Sequence, residues 1–210
     1  YIFAVTKTTS LKAAAKKLKK VKSVVEETEL SMSQIPFPLK NSKVWVSPST
    51  EGQKLEGQGM VLQKSYFDGT AGYSVNMQTG RTELTAEEIA AKKKSVGLFP
   101  EMNYSATGMT YELIGIENVD GVDMYVLKLN DGETETFDYF NTKTFMKMKS
   151  ISIQKNGEET VETTATYGDF KEVNGLLFPH SMTLSVGEAS FTGKTTSITV
   201  NGKADLSTFK

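Results

Sequence analysis

With 210 residues, 38% of them hydrophobic and 23% charged, the chain carries enough apolar side chain to bury a core, which argues against wholesale disorder. Lysine and arginine total 24 against 25 for aspartate and glutamate, so no net field exists over the whole surface to hold a nucleic acid, and no nucleic-acid partner is expected. The absence of cysteine excludes disulfides and thiolate metal sites, and no run approaches the roughly 18 apolar residues of a transmembrane helix.

The sequence starts at Tyr1 with no charged leader followed by a short apolar run, and reads as a mature form or an excised piece. Ser10 can cap a helix over about residues 10–25, whose apolar positions Leu11, Ala14, Ala15, Leu18, Val21 and Val25 recur at helical spacing. Lysines 12, 16, 17, 19, 20 and 22 fill the rest, and the alanine-rich stripe fits packing on a sheet better than insertion into a membrane. From Ser31 to Gly59 the text is irregular, with Pro36, Pro38 and Pro48, broken only by a strand around Val44, Trp45 and Val46. Thr85 and Glu88 form a capping box that predicts a second helix over about 85–96.

Most of the remainder reads as a β meander over about 60–206. Asp-Gly at 68–69, 120–121 and 131–132 and Asn-Gly at 156–157, 174–175 and 201–202 separate β-rich segments, and both dipeptides accept the positive φ of type I′ turns. A two-residue turn at Asn156-Gly157 pairs Lys155 with Glu158, Ile151 with Glu162, Met148 with Ala165 and Met146 with Tyr167. Met146, Met148, Ser150, Ser152, Val161, Thr163, Ala165 and Tyr167 then share an inner face, while Lys147, Lys149, Glu158 and Glu162 are solvated. Small, weakly polar residues alternating with flexible methionines suit the wall of a cavity or the seat of a helix. The Asp120-Gly121 turn pairs Ile116 with Tyr125 and Ile114 with Leu127, and the next hairpin pairs Met124 with Tyr139 and Val126 with Phe137. Apolar residues therefore occupy both faces of the middle strands, which must be covered twice: by helices, by curvature or by a ligand.

No convergent catalytic set appears in the sequence. His180, the single histidine, has neither a nucleophile nor further His or Cys partners for a metal. Acidic clusters such as Glu158, Glu159 and Glu162, or Asp131, Glu133 and Glu135, alternate with threonine or sit in turns. No EF-hand, P-loop or dinucleotide fingerprint is present. The expected site set is therefore without catalytic residue, metal or cofactor.

Four segments carry a family resemblance. Tyr66, Phe67, Asp68, Gly69 with Gly72 and Tyr73, then Gly115 to Tyr125, then Tyr139, Phe140, Asn141, Thr142, Lys143, Thr144, and last Tyr167 to Gly175 with Phe178 and Pro179, resemble in order and spacing the envelope proteins related to the LolA and LolB lipoprotein carriers. The match spans roughly Met60 to Ser185. The same module resembles the tail that follows pitrilysin or insulinase-type zinc peptidases. This chain departs from that pattern at Thr6, Lys7, Thr8 and Thr9, where a Gly-Gly is usual, and it has no His-x-x-Glu-His. The resemblance implies a mainly β (α+β) fold: a curved antiparallel sheet, a half-open β-barrel with a few helices covering the concave face, as one domain over 1–210. It also implies a periplasmic or outer-membrane-associated, non-catalytic binding module for an apolar ligand or a lipidated protein. Ile114, Ile116, Tyr125, Leu127, Met146, Met148 and Tyr167 are the expected ligand-lining residues. The alternative is an accessory domain sharing its polypeptide with a peptidase domain and used for protein contacts.

Overall fold

The computed structural model describes the chain except residues 103–107, 133, 157, 158 and 188, and except the side chains of 156 and 159. The expected solvation of Glu158 and the acidic group containing Glu133 therefore lie outside the described residues. The described chain is predominantly antiparallel β, as expected, and divides into two compact units, one of 1–14 and 102–193 and one of 15–101 and 194–210.

The second unit holds β1 (Ser23–Met32), β2 (Ile35–Val46), β3 (Thr50–Gly57), β4 (Met60–Phe67), β5 (Gly72–Asn76) and β6 (Gly80–Glu83), paired in chain order. It also contains helix α3 (Ala86–Ser95) and a terminal 3₁₀ turn, Leu206–Thr208. The irregular reading of 31–59 is thus corrected: three strands cover most of it. Pro36 and Pro38 misled because they occupy the start of β2, before its pairing with β3 begins at Lys40 and Glu56 and where its register with β1 shifts. Proline is tolerated where a ladder amide has no partner to lose. The Gln58-Gly59 turn between β3 and β4 has positive φ at both residues, type I′ geometry from a dipeptide that carries no obvious signal.

The Thr85 capping box is present: the Thr85 hydroxyl accepts from the Glu88 amide and the Glu88 carboxylate accepts from the Thr85 amide. No residue of α3 is buried, and Lys92 pairs with Glu51 of β3 at 2.7 Å. Phe67, Val44, Leu39 and Tyr73 form part of the buried interior with Phe209, whose carbonyl accepts from the Tyr73 hydroxyl at 2.9 Å.

The first unit contains α1 (Ile2–Thr6), β7 (Thr110–Val119), β8 (Val122–Asn130), β9 (Thr134–Asn141), β10 (Lys147–Asn156), β11 (Glu159–Gly168) and β14 (Ser181–Val186), in sheet order β14-β11-β10-β9-β8-β7. A separate hairpin, β12 (Lys171–Val173) with β13 (Leu176–Phe178), lies against α1. Helix α2 (Leu11–Leu18) and β15 (Ala189–Val200) contribute residues to both units. The first long helix is shorter than its predicted 10–25 span, because Ser23, Val24 and Val25 pair with β2 instead. Valine loses χ1 freedom in a helix and packs well on a pleat.

Two hairpin registers slide by two residues from their expected pairing. Asn156 pairs with Glu159 and Ile151 with Thr164, while Asn130 pairs with Glu135 and Val126 with Tyr139. A two-residue slip preserves which side chains share a face, so Ser150 with Ala165 and Ser152 with Thr163 remain together.

The packing around Phe209 supplies a test. A Cβ added at Gly52 would stand 2.7 Å from Phe209 Cγ and 2.9 Å from its Cβ. Gly52→Ala should therefore destabilise the fold by about 1–3 kcal/mol, the usual cost of overpacking. Urea unfolding would check it, and an unchanged midpoint would contradict this packing.

Candidate ligand-binding face

Strand β8 is apolar in nearly consecutive positions, so it loads both faces of its sheet. On one face Met124, Val126 and Tyr139 form a buried cluster with Val119, Phe137, Met148 and Ile151 packed against it. Burial, and after it the neighbouring Glu117 carboxylate, raise the Tyr139 hydroxyl above its usual pKa. The opposite face carries Tyr125, Leu127 and Leu129, with Leu129 almost fully enclosed.

On that second face the apolar surface continues outward and is left open. Tyr111 pairs with Leu129, Leu113 with Leu127 and Ile116 with Tyr125, so the three β7 side chains extend the β8 row. Tyr111, Leu113 and Ile116 are each about 60% exposed, and Ile114 beside them is 48% exposed. Phe145 joins the row: half-exposed, its ring stacks on Tyr125 at 6.3 Å and 7°. Large apolar side chains exposed singly need no explanation, but a contiguous row of them on one face marks a contact surface.

The turn that presents Phe145 is built by Asn141, whose side-chain oxygen accepts from the amides of Lys143 and Thr144 at 2.9 Å each. Phe145 then adopts φ 58°, a left-handed conformation that costs a bulky residue on the order of 1–2 kcal/mol. The chain tolerates this strain at a ring standing in the open row. Beside Tyr111, a cavity of about 350 Å³ is lined by Thr110, Glu112, Lys128 and Asn130, which the ladder places on the face opposite the row.

Of the residues expected from sequence to line a ligand site, Ile116, Tyr125 and Leu127 come together in this row. Ile114 adjoins it, but its expected pairing with Leu127 is replaced by Leu113, because a β-bulge falls between Leu113 and Gly115. Tyr167 of β11, half-buried and paired with Met182 of β14, lies on the same face with two strands between it and β8. Met148 packs into the cluster on the other face, and Met146 is buried where its carbonyl accepts from Asn141. The reason is a second bulge: Lys147 pairs with Phe140 and Lys149 with Tyr139, leaving Met148 as the extra residue.

The same bulge corrects the expectation that Lys147 is solvated. Its side chain is largely buried, with Nζ 3.4 Å from the buried carboxylate of Asp138 and 5.5 Å from the Tyr1 ring, which itself lies 5.7 Å from Phe140. Glu162 is exposed as expected. Tyr111, Leu113, Phe145 and the Asp138–Lys147 pair were not anticipated from the sequence. Gly115, isolated inside a strand, was the signal that could have placed the first bulge and moved Leu113 into the row. His180 is held structurally: its amide donates to the carbonyls of Gly168 and Asp169, and Nδ1 lies 3.1 Å from the Phe178 carbonyl.

The class of the fold is LolA-like and mainly antiparallel β, as its likeness to solved structures shows. No protein-family model and no curated protein sequence matches the chain, whereas solved structures do. It superposes on a DUF1329 family protein from Desulfovibrio piger with TM-score 0.63 and 10% identity, covering 93% of this chain and 92% of that one. The LolA superfamily protein NE2245 from Nitrosomonas europaea gives 0.61 and 12%, covering 90% of each chain. A Vibrio parahaemolyticus domain named for outer membrane lipoprotein sorting gives 0.60 and 10%, covering 90% and 89%. At such identities the likeness establishes the fold, the one expected from the sequence, and leaves the function to the site.

The division between open row and closed core can be measured. Leu113→Ser and Ile116→Thr should each shift stability by no more than about 0.5 kcal/mol, as exposed positions do. Leu129→Ala should cost about 2–5 kcal/mol. Equal losses in chemical denaturation would mean that the row is part of the core.

Proposed function

We propose that this chain is a non-catalytic binding module of the bacterial cell envelope, one functional domain over 1–210, whose ligand is apolar or lipidated. The observation that carries the reading is the open row Tyr111, Leu113, Ile116, Tyr125, Leu127 and Phe145 on one face of β7 and β8. Soluble domains rarely leave such side chains contiguous and uncovered without a contact to make there. The fold supports the reading too, since it is shared with a domain named for lipoprotein sorting.

The row suits an acyl chain because its surface is aliphatic and aromatic along its length, with polar groups only at its margin. Each methylene buried there contributes on the order of 0.8 kcal/mol, so a long chain gains enough to offset the ordering of its own bonds. Ile114 at the bulge and Tyr167 farther along the same face would extend the contact for a longer ligand. Met146 and Met148, the remaining expected lining residues, would act from beneath, as adaptable packing behind the strands. No catalytic group is required, because transfer of such a ligand makes and breaks no covalent bond.

Titration with a fluorescent fatty acid tests the proposal. Wild type should show saturable binding, and Ile116→Glu or Leu127→Glu, in variants shown to be folded by circular dichroism, should weaken it at least tenfold. Val61→Glu, which places the same charge on an exposed valine of the other unit, should leave binding unchanged. Absence of binding by folded wild type, or equal binding by every variant, would sink the reading.

A further inference from the structure

Strand β7 is the last strand of its sheet, pairing with β8 on one side and with no strand on the other among the described residues. Such an edge presents a row of free backbone N–H and C=O groups, and proteins ordinarily blunt it by making it short, by placing lysine or proline on it, or by covering it. The terminal strand of the second unit, β6, is four residues long, Gly-Arg-Thr-Glu, with every residue exposed: a blunted edge. β7 is different. It runs for 10 residues, Thr-Tyr-Glu-Leu-Ile-Gly-Ile-Glu-Asn-Val, with neither lysine nor proline. Its bulge at Gly115, where φ is 152°, bends the strand but leaves 110–113 and 116–119 regularly paired with β8.

The two faces of this edge differ in chemistry. Tyr111, Leu113 and Ile116 stand on the apolar face, whereas Glu112 pairs with Lys128 and Glu117 with Met124 across the ladder, which puts both carboxylates on the opposite face. Both glutamates are exposed, and the Lys128 ammonium is engaged by Glu135 at 2.5 Å. Gly115 lies on the carboxylate face between them, with no atom within 4 Å of where a Cβ would stand, so a long side chain crossing there meets open space.

We infer that β7 is a strand-addition site for an extended peptide segment of another protein whose side chains alternate between basic and apolar. Pairing with the free edge aligns the peptide, its apolar residues join Leu113 and Ile116, and its basic residues meet Glu112 and Glu117. Charge selects this occupant over a second copy of the chain. An antiparallel copy of β7 centred between Ile114 and Gly115 would set Glu112 against Glu117, and like charges directly opposite are unfavourable. The inference goes beyond the acyl-chain reading, because it uses the strand's edge and its carboxylate face rather than the apolar row alone.

The test uses a fluorescein-labelled six-residue peptide alternating lysine and valine, compared with its glutamate–valine counterpart. Fluorescence anisotropy should show saturable binding of the lysine peptide at least tenfold tighter than the glutamate one. Hydrogen exchange should slow selectively at residues 110–119. The double variant Glu112→Lys, Glu117→Lys should invert the preference while leaving fatty-acid binding as in wild type, so the two readings can fail separately. Equal affinity for both peptides, exchange protection elsewhere than β7, or concentration-dependent dimerisation of the chain through β7 without peptide binding would each overturn the inference.

Discussion

Strand β8 is apolar on both of its faces, and most of what is specific to the first unit follows from having to cover it twice. On one side the need is met within the sheet's own surface, where Val126 is enclosed by Met124 and Tyr139 and then by Phe137, Met148 and Ile151. On the other side Leu129 is enclosed, but cover thins toward the edge, and Leu127 and Tyr125 are flanked by exposed β7 residues and by Phe145. A sheet closed on both faces would be only a core. One closed on a single face and open along the margin of the other has a surface to offer.

The buried Asp138–Lys147 pair belongs to this arrangement. Asp138 lies on the same face as Leu127, directly opposite it in the ladder, and is almost fully enclosed. A lone carboxylate there would be strongly unfavourable, and Lys147 with its partly buried stem supplies the counter-charge while its ammonium lies over the Tyr1 ring. The apolar face is therefore punctuated by one neutralised pair between the region under Tyr1 and the open row.

Edge and face of β7 are separable in function. An apolar ligand would use side chains on the Leu127 side, while an added strand would use the backbone edge together with carboxylates on the Val126 side. Glycine at position 115 serves both uses: its positive φ makes the bulge that brings Leu113 opposite Leu127, and its missing side chain leaves the carboxylate face unobstructed. Phe145 repeats the theme at the other side of the row, where a strained backbone holds an aromatic ring against Tyr125.

Local chemistry was legible wherever one turn or one alternation decided the outcome. The Thr85 capping box, the Asp120-Gly121 turn and the Ile116–Tyr125 pairing stand as the residues alone dictated, because each rests on hydrogen bonds and φ preferences within a few positions. The faces of β9, of β11 and of β10 from Lys149 onward survived even though two hairpins slid by two residues, since strand alternation has a period of two and an even slip restores it. Only the tertiary structure decided the single-residue bulges at Ile114 and Met148. Each shifts the register by one, exchanging Ile114 for Leu113 in the open row, sending Met148 to the opposite face and drawing Lys147 inward to Asp138. A bulge is selected by the twist and pairing of the strands on either side and by what its side chains then touch, and those partners are distant in sequence.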